Sequence, residues 1–314
     1  MSESKASSPA SRVATIDIGT NSVLLLVAAR DGSHVRALTE LATITRLGEG
    51  VDATGELSEA AEARTLACLE RYASEIAKWS VDRVEAVGTS AMRDARGGSA
   101  FCDRAQAILG VRPSVISGER EAQLTFDGAL IGLEPQGILA VFDIGGGSTE
   151  IIVGARVGRG RGTLARAVSL DIGAVRLTER HCHHDPPTRS ELDAVRKDIR
   201  LALKRAPALK GRPLVGVAGT VTTLTAYVHD IAPYDPRRVH GAVLARTELS
   251  EAIDRLAAMP LAERRGLAAI EPNRADVIVA GALIADEICE ASGADRLLAS
   301  DRGVRWGLAV ELFD

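Results

Sequence analysis

This sequence of 314 residues has few aromatic residues and no excess of positive charge. Only 3% of its residues are Phe, Trp or Tyr, which excludes base stacking on aromatic rings as a main binding mode. The formal net charge is −4, so no global field attracts polyanions to the surface. An anionic substrate must therefore be held locally, by backbone N–H groups, arginines or a metal ion. Nucleic acid is a poor candidate as a partner for the same reasons.

Cysteine pairs and long apolar runs are absent as well. The four cysteines, Cys68, Cys102, Cys182 and Cys289, are scattered without a CxxC pair, which favours free thiols in a reducing cytosol. No apolar segment is long enough to span a bilayer, and residues 1–11 lack the apolar core of a signal peptide. We therefore expect a cytoplasmic protein without membrane contact, and a disordered tail over residues 1–11.

Hydrophobic residues nevertheless make up 46% of the chain, enough for sizeable cores built from Ala, Val, Leu and Ile. Strand-like and helix-like segments alternate, which predicts an α/β fold. One expected helix covers residues 57–79, with Ser58 as its N-cap. A long and very apolar one covers residues 274–291 and is expected to be buried.

Two halves of the chain open in the same way. Each begins with an apolar strand, continues with Asp-Ile-Gly and a Ser, and returns as a strand, which indicates a structural duplication. The turn-rich segment Glu134-Pro135-Gln136-Gly137 is the best boundary. We therefore predict domains over residues 12–135 and 136–314, with ligands bound in the cleft between them.

The two repeated loops have the composition of phosphate-binding loops. They are Asp17-Ile18-Gly19-Thr20-Asn21-Ser22 and Asp143-Ile144-Gly145-Gly146-Gly147-Ser148-Thr149-Glu150. Glycine lets backbone N–H groups approach phosphate oxygens, because no Cβ stands in the way. Hydroxyl groups add further donors, and the leading Asp suits Mg²⁺, which prefers carboxylates, water and phosphate oxygens. The pair of loops predicts a clamp for the end of a phosphate chain.

These loops resemble the two phosphate motifs of the actin-like ATPase superfamily, and the chain closely resembles the exopolyphosphatase/guanosine pentaphosphate phosphatase (Ppx/GppA) family within it. The resemblance implies two ribonuclease-H-like domains around a central cleft. It covers nearly everything after Arg12, in order. The segments that carry it are Gly88–Ala95, Ile116–Ala122, Asp143–Glu150, Ile172–Glu179, Ala218–Leu224, Val239–Gly241, Arg274–Asp276 and Ser300–Arg305.

The resemblance assigns Glu121 as the catalytic base, since it occupies the position of the Glu before Ala in the family's Ser-Gly-x-Glu-Glu-Ala motif. Hydrolysis of a phosphoanhydride needs a water molecule in line with the terminal phosphorus, and a carboxylate can orient that water or take its proton. Arg120 departs from the motif, because the family more often has a second Glu there. We expect this change to remove a carboxylate near the site and to affect metal affinity or the pH optimum.

Asp143 and Glu150 correspond to the acids of the family's second phosphate motif and are the expected Mg²⁺ ligands, with Asp17 contributing through water. Arg93 matches a basic residue of the family and is expected to neutralise charge on the phosphate oxygens, although a solvated arginine is the simpler interpretation. For Arg176 and Arg274 the same two interpretations are open, a contact with phosphate or a solvated side chain. The remaining predicted phosphate-binding residues are Gly19, Thr20, Asn21, Ser22, Gly145, Gly146, Gly147, Ser148, Thr149, Gly219 and Thr220.

Three further features have simpler structural interpretations. His240 fits the family's Val-His-Gly motif, but a structural histidine is an equally good interpretation. The segment His181-Cys182-His183-His184-Asp185 looks like a soft-metal site, but no partner cluster exists elsewhere, so a surface turn is favoured. The basic, glycine-rich segment Gly158-Arg159-Gly160-Arg161-Gly162 is expected to be a hairpin tip.

The predicted function is exopolyphosphatase activity, in which water attacks the terminal phosphoryl group of polyphosphate and releases orthophosphate. Hydrolysis of the 5′-terminal phosphate of guanosine pentaphosphate is the close alternative. A superfamily phosphotransferase, and a non-catalytic nucleotide sensor or filament former, are more distant ones, and the retained Glu121, Asp143 and Glu150 argue against them. The chain resembles the short form of the family, without the HD-type helical domain of longer members, and the family implies a homodimer.

Overall fold

The computed structural model describes residues 11–32, 34–134, 137–156 and 161–314. Most of the predicted tail, the centre of the predicted domain boundary and most of the glycine-rich segment 158–162 lie outside these residues. The α/β class predicted from the sequence is confirmed, with two mixed sheets that carry helices.

The first sheet has five strands in the order β3-β2-β1-β4-β5. The opening strand β1 pairs antiparallel with β2 on one side and parallel with β4 on the other. The strands are β1 (Arg12–Ile18), β2 (Ser22–Asp31), β3 (His34–Ile44), β4 (Arg83–Gly88) and β5 (Ser114–Val115). The accompanying helices are α1 (Val51–Thr54), α2 (Glu59–Ile76), α3 (Ser90–Asp94), α4 (Gly98–Leu109) and α5 (Gly118–Ala129).

The second sheet has six strands in the order β10-β11-β9-β6-β7-β8. The strands are β6 (Ile138–Ile144), β7 (Thr149–Ala155), β8 (Thr163–Leu170), β9 (Leu214–Val217), β10 (Val243–Ala245) and β11 (Arg296–Ala299). The helices that follow β6 in the chain are α6 (Ala174–His181), α7 (Arg189–Leu203), α8 (Ala218–Val228), α9 (Pro236–Val239), α10 (Arg246–Ala258), α11 (Leu261–Arg265), α12 (Ile278–Ser292) and α13 (Val304–Phe313).

The duplication seen in the sequence is present in the strand pairing. Strand β6 pairs antiparallel with β7 and parallel with β9, just as β1 pairs with β2 and β4. The registers match, but the residues do not: Leu24 lies opposite Asp17, whereas Glu150 lies opposite Asp143. Only the second loop therefore places two carboxylates across from each other.

The C-terminal helix α13 packs on the first sheet, although it follows the last strand of the second. Its apolar side chains share a core cluster with Val13 and Leu26, and the Thr15 hydroxyl donates to the Arg305 carbonyl at 2.8 Å. Helix α13 also lies against α5 so closely that a Cβ at Gly307 would stand 2.1 Å from the Leu124 carbonyl oxygen. The boundary at residues 134–137 stays a prediction, since the C-terminal helix joins the two halves through its packing.

The predicted helices agree with the structure, except at their ends. Ser58 caps α2 by accepting from the Ala61 amide at 3.2 Å. The apolar helix is buried along its length, as expected, but it begins at Ile278 and not at residue 274. A 3₁₀ turn over Pro272–Arg274 precedes it, and Glu271 caps that turn with its side chain. Within the described residues, no helix combines the length and apolarity needed to cross a membrane.

Candidate active site

A cleft of about 670 Å³ opens where β1 and β6 end and their loops begin. Twelve of the predicted site residues line it: Asp17, Thr20, Asn21, Ser22, Glu121, Asp143, Gly145, Gly146, Ser148, Glu150, Gly219 and Thr220. Gly19, Gly147 and Thr149 belong to the same loops, and Arg93 lies on α3, but these four are not among the lining residues. The structure thus gathers both predicted loops and Glu121 around one cavity.

The two loops fold as equivalent turns. The Gly19 amide donates to the Ser22 carbonyl and the Gly145 amide donates to the Ser148 carbonyl, each at 3.0 Å. These two amides are used within their own turns, and other groups of the loops face the cleft. Gly173 supports the second turn from behind, because a Cβ there would stand 2.2 Å from the Gly146 carbonyl oxygen.

The loops also contact each other. A Cβ on Gly146 would lie 3.1 Å from the Asn21 Cβ, so a side chain at this position would crowd the first loop. The Thr20 hydroxyl shares a hydrogen bond of 2.7 Å with the Ser90 hydroxyl, which fixes it at the start of α3. Glycine is therefore needed for the close approach of the loops as well as for access of phosphate.

Four carboxyl groups line the cleft and interact electrostatically, namely Asp17, Glu121, Asp143 and Glu150. Burial raises the pKa of Asp17 to about 6, while the Arg305 guanidinium opposes the shift. Burial, followed by repulsion from Glu150 and Asp17, raises the pKa of Glu121 to about 9. The pKa values of Asp143 and Glu150 are raised as well, chiefly by burial. Such a group of acids favours a bound cation, which would return them to their ionised forms.

The donor set fits Mg²⁺. Glu150 lies across from Asp143, and its Oε1 accepts from the hydroxyls of Ser148 and Ser169 at 2.8 and 2.7 Å. Oδ1 of Asp17 and Oδ1 of Asn21 are buried oxygen acceptors, and no described residue donates a hydrogen bond to them. In the described ranges, no three His, Cys, Asp or Glu side chains gather closely enough to hold a metal by themselves. Mg²⁺ is typically held by one or two carboxylates together with water and phosphate oxygens, so Asp143 and Glu150 are enough to hold it.

Glu121 is oriented by Arg93. The helix that carries Glu121, α5, is capped by Ser117, whose hydroxyl accepts from the Arg120 amide at 3.2 Å. Nη1 of Arg93 donates to Glu121 Oε2 at 3.1 Å and to the Ile116 carbonyl at 3.0 Å. Arg93 is thus not a solvated loop residue, and its direct partner is the expected base.

Arg120 points away from the cleft. Its Nη1 donates to Glu311 Oε1 on α13 at 2.7 Å, and Arg120 is not among the residues that line the cavity. A carboxylate at this position would face α13 as well. The expectation that Arg120 changes the metal site directly therefore has no geometric basis, and its role is to tie α5 to α13.

Arg274 faces the cleft from the second half. Its guanidinium lies against Gly219, where a Cβ would stand 2.2 Å from Nη1. Burial lowers its pKa. No hydrogen bond or ion pair engages this guanidinium in the part of the chain that the structure describes, so it is available to an anion. By contrast, Arg176 donates from Nε to the Gly147 carbonyl at 2.7 Å and supports the second loop.

The cleft is also lined by residues outside the set predicted from the sequence. Tyr234 donates to Asp301, and Arg305 donates to Glu40 Oε2 at 2.8 Å. Leu24, Leu41, Ala42, Ile44 and Val277 add apolar surface there. The resemblance included the segment Ser300–Arg305, which was the one signal for Asp301 and Arg305.

His181, His184 and His240 have protein partners in this fold. His240 Nε2 lies 3.0 Å from the Ile131 carbonyl, and burial lowers its pKa to about 4, so the ring is neutral at pH 7. His181 pairs with Asp198 at 2.8 Å and His184 pairs with Glu191 at 2.8 Å. The surface-turn interpretation of residues 181–185 agrees with these contacts.

A sequence profile described as the Ppx/GppA phosphatase family matches residues 26–314. Exopolyphosphatase 2 of Mycobacterium tuberculosis is 38% identical over 321 residues, with 96% of this chain and 98% of that protein covered. A guanosine-5′-triphosphate,3′-diphosphate pyrophosphatase of Photobacterium profundum is 32% identical over 216 residues, with 67% of this chain and 42% of that protein covered.

Solved structures agree with the sequence comparisons. The crystal structure of the Aquifex aeolicus member of the Ppx/GppA family is 35% identical, with a TM-score of 0.82, and the match covers 97% of this chain and 98% of that chain. An exopolyphosphatase-like protein is also 35% identical, with a TM-score of 0.88 and the same coverage, 97% and 98%.

Proposed function

The chain belongs to the Ppx/GppA phosphatase family and is therefore a hydrolase of phosphoanhydride bonds, and we propose that it is an exopolyphosphatase. The observation that carries the proposal is the meeting of Glu121 with Asp17, Asp143 and Glu150 in the cleft that both loops face. A chain end held by the loops would place its terminal phosphorus next to these carboxylates. The similarity to exopolyphosphatase 2 over nearly the whole chain supports the choice of polyphosphate.

Different residues of the cleft would bind phosphate, balance its charge and transfer a proton. The Ser22 hydroxyl, and the Thr20 hydroxyl when it accepts from Ser90, would donate to phosphate oxygens, and Arg274 supplies a guanidinium that no described residue pairs with. Asp143 and Glu150 would hold Mg²⁺, with Asp17 acting through a bound water. When bound, Mg²⁺ supplies positive charge that offsets the charge of the phosphoryl group.

Glu121 acts on the attacking water in this mechanism. As the water oxygen bonds to the terminal phosphorus, the bridging P–O bond breaks and the shortened chain keeps the bridging oxygen. The carboxylate takes the water proton, and the terminal phosphoryl group is released as orthophosphate. Because the pKa of Glu121 is raised to about 9 when the site holds no cation, the group retains its proton at neutral pH until positive charge arrives. Arg93 keeps Oε2 in place, which leaves Oε1 of Glu121 for the water.

The test is phosphate release from polyphosphate of several lengths, guanosine pentaphosphate, ATP and GTP, with and without Mg²⁺. We expect release from polyphosphate in the presence of Mg²⁺ and little without it. If none of these compounds yields orthophosphate, the proposal is wrong. Addition of a phosphoryl acceptor such as acetate to the ATP reaction separates a phosphotransferase from a hydrolase, and sedimentation with ATP detects a filament former.

Guanosine pentaphosphate is a second candidate substrate, and the apolar side chains in the lining of the cleft favour it. A polyphosphate chain has no apolar surface, whereas a nucleoside buries one against side chains such as Leu24, Leu41 and Val277. The match to the pyrophosphatase from Photobacterium profundum points the same way. Leu41→Ser should raise KM for guanosine pentaphosphate and leave polyphosphate unchanged if nucleosides bind there. Equal effects on both substrates would argue against a nucleoside subsite.

Three finer expectations belong to the same proposal. The Mg²⁺ requirement is tested by titration of activity against Mg²⁺ and Ca²⁺ after treatment with a chelator. A homodimer is expected from the family, and gel filtration with light scattering measures it. Localisation in the cytoplasm is expected from the scattered thiols, and fractionation of cells tests it.

A further inference from the structure

The turn that follows β3 is fastened to the first phosphate loop. The amides of Thr45 and Arg46 both donate to the Asn21 carbonyl at 3.0 Å, and the Gly48 amide donates to the Thr20 carbonyl at 2.9 Å. Any displacement of the first loop must therefore move this turn with it.

Arg46 is held in a backbone conformation that L-residues rarely adopt. Its φ is 52°, in the left-handed region, which is unfavourable for a residue with a Cβ. Arg64 secures the turn from the other side, since its Nε donates to the Thr45 carbonyl at 3.0 Å and its Nη2 pairs with Glu49 at 2.6 Å. The side chain of Arg46 therefore starts from a fixed point.

From that point the guanidinium reaches residues of the second half of the chain. Nη2 of Arg46 lies 2.8 and 2.9 Å from the two carboxylate oxygens of Asp276 and 2.7 Å from the Asn273 carbonyl. Both charged side chains are about a quarter exposed, at 27% and 25%, so solvent screens the pair only in part. This is a charge-assisted contact between two parts of the chain that share no sheet.

The segment that Arg46 binds, residues 273–276, also contains Arg274. Asn273 and Asp276 flank Arg274, whose guanidinium lies on Gly219 and faces the cleft. The segment is held on its other side by Glu271, which accepts from the Asn273 amide at 3.0 Å. The position of Arg274 relative to the first loop thus depends on the contact that Arg46 makes.

We propose that Arg46 is a positioning residue that sets the distance between the first phosphate loop and Arg274, and so fixes how the two halves share one phosphate chain. The inference rests on the proposed function, because it assigns substrate phosphates to both the loop and Arg274. Arg46 itself binds the protein and not the substrate. Loss of its contact weakens binding of the anion and leaves proton transfer at Glu121 in place.

The experiment compares Arg46→Asn, Asp276→Asn and the double variant. Asn suits position 46 because it tolerates a positive φ, which separates the lost ion pair from backbone strain. Each single change should raise KM for polyphosphate about tenfold, the loss of one charge-assisted contact, with kcat within about twofold of the parent. The double variant should be no worse than either single one, since both remove the same contact.

Two controls sharpen the result. Arg96→Asn removes the exposed Arg96–Glu56 pair, of 2.7 Å, in the same half of the chain and should leave KM unchanged. The exchange of charges, Arg46→Asp together with Asp276→Arg, should recover part of the lost affinity. Unchanged KM in both single variants, or additive effects in the double one, would overturn the proposal. A fall in kcat as large as the rise in KM, together with a lower melting temperature, would also overturn it, because this combination indicates a purely structural role.

A binding measurement separates this proposal from the proposed function. Calorimetric titration with tripolyphosphate reports affinity without turnover. If the parent protein releases no phosphate from any substrate, the exopolyphosphatase proposal fails, and the titration still tests Arg46. Equal tripolyphosphate affinity in the parent and in Asp276→Asn refutes the positioning role even when the enzyme is active.

Discussion

Replacement of Glu121 by Gln removes the charge of this side chain and keeps its size. The carboxyl group is buried beside three other acids, and its pKa of about 9 in the cation-free site lies far above its ordinary value of 4.5. An acid whose pKa is raised on folding binds its proton more tightly in the native state. The native state therefore loses stability relative to the unfolded chain as pH rises from about 4.5 towards 9.

The size of the effect follows from the shift. Each pH unit within that window changes the free energy of unfolding by about 1.4 kcal/mol for one group. Between pH 5 and pH 8 Glu121 alone therefore lowers stability by at most about 4 kcal/mol, and neighbouring acids that titrate together with it reduce its share. Glu121→Gln has no proton to lose, so in chelator it should be more stable than the parent at pH 8 and close to it at pH 5.

Glu121→Gln should lower activity although it raises stability at pH 8. Loss of the base should lower kcat by about 10²–10⁴-fold. In the parent, kcat/KM should rise with pH while Glu121 loses its proton, and added Mg²⁺ should move this rise to lower pH. The variant should lack that part of the profile.

The assay is urea unfolding at pH 5 and pH 8 in chelator, paired with phosphate release from pH 5 to pH 9. Glu119→Gln is the matched control, because Glu119 lies in the same first helical turn and is exposed. It should change neither stability nor turnover by much. The reasoning is refuted if the stability difference between Glu121→Gln and the parent is the same at both pH values, or if the variant turns over at a near-normal rate.

Three other changes test the packing and the metal site. Gly307→Ala places a methyl group 2.1 Å from the Leu124 carbonyl oxygen, and urea unfolding should show a loss of about 3 kcal/mol; an unchanged midpoint would contradict the tight packing of α13 on α5. Arg120→Glu sets two like charges together at Glu311 and should lower the free energy of unfolding by about 1 kcal/mol, with kcat within about twofold, whereas a large loss of turnover would put residue 120 in the site. Asp143→Asn should raise the Mg²⁺ concentration for half-maximal activity by more than about tenfold, and a normal Mg²⁺ titration would remove Asp143 from the metal site.

The loops were predictable because their signals are local. An apolar strand, an Asp-Ile-Gly tripeptide and a returning strand stand next to each other in the sequence, and the fold preserves that order. The difference between the loops was also present, since Leu24 and Glu150 occupy the same register position in the two hairpins. The position of Glu121 beside the second loop was not local, and the family resemblance supplied it.

Other parts of the fold could not be predicted in this way. Helix α8 was missed because it is rich in Thr, a β-branched residue that suits strands. In the structure the hydroxyls of Thr222 and Thr225 donate to carbonyls of the preceding turn, at 3.1 and 2.8 Å, and packing overrides propensity. Tyr234 and Glu40 reach the cleft from segments far apart in the chain, and no spacing rule connects them. Arg120 was misplaced because a motif gives the order of residues and not the direction of a side chain.

The packing of α13 on the first sheet determines when a newly made chain can complete its fold. The hydrogen bond from Thr15 to Arg305 joins residues 290 positions apart, and Trp306 covers the same face of the sheet, next to Val13 and Leu26. During synthesis the first sheet emerges early, but this apolar face stays open until almost all of the second half has followed. A chain that stalls on the ribosome before α13 is made carries an unfinished first sheet, however well its phosphate loop has formed.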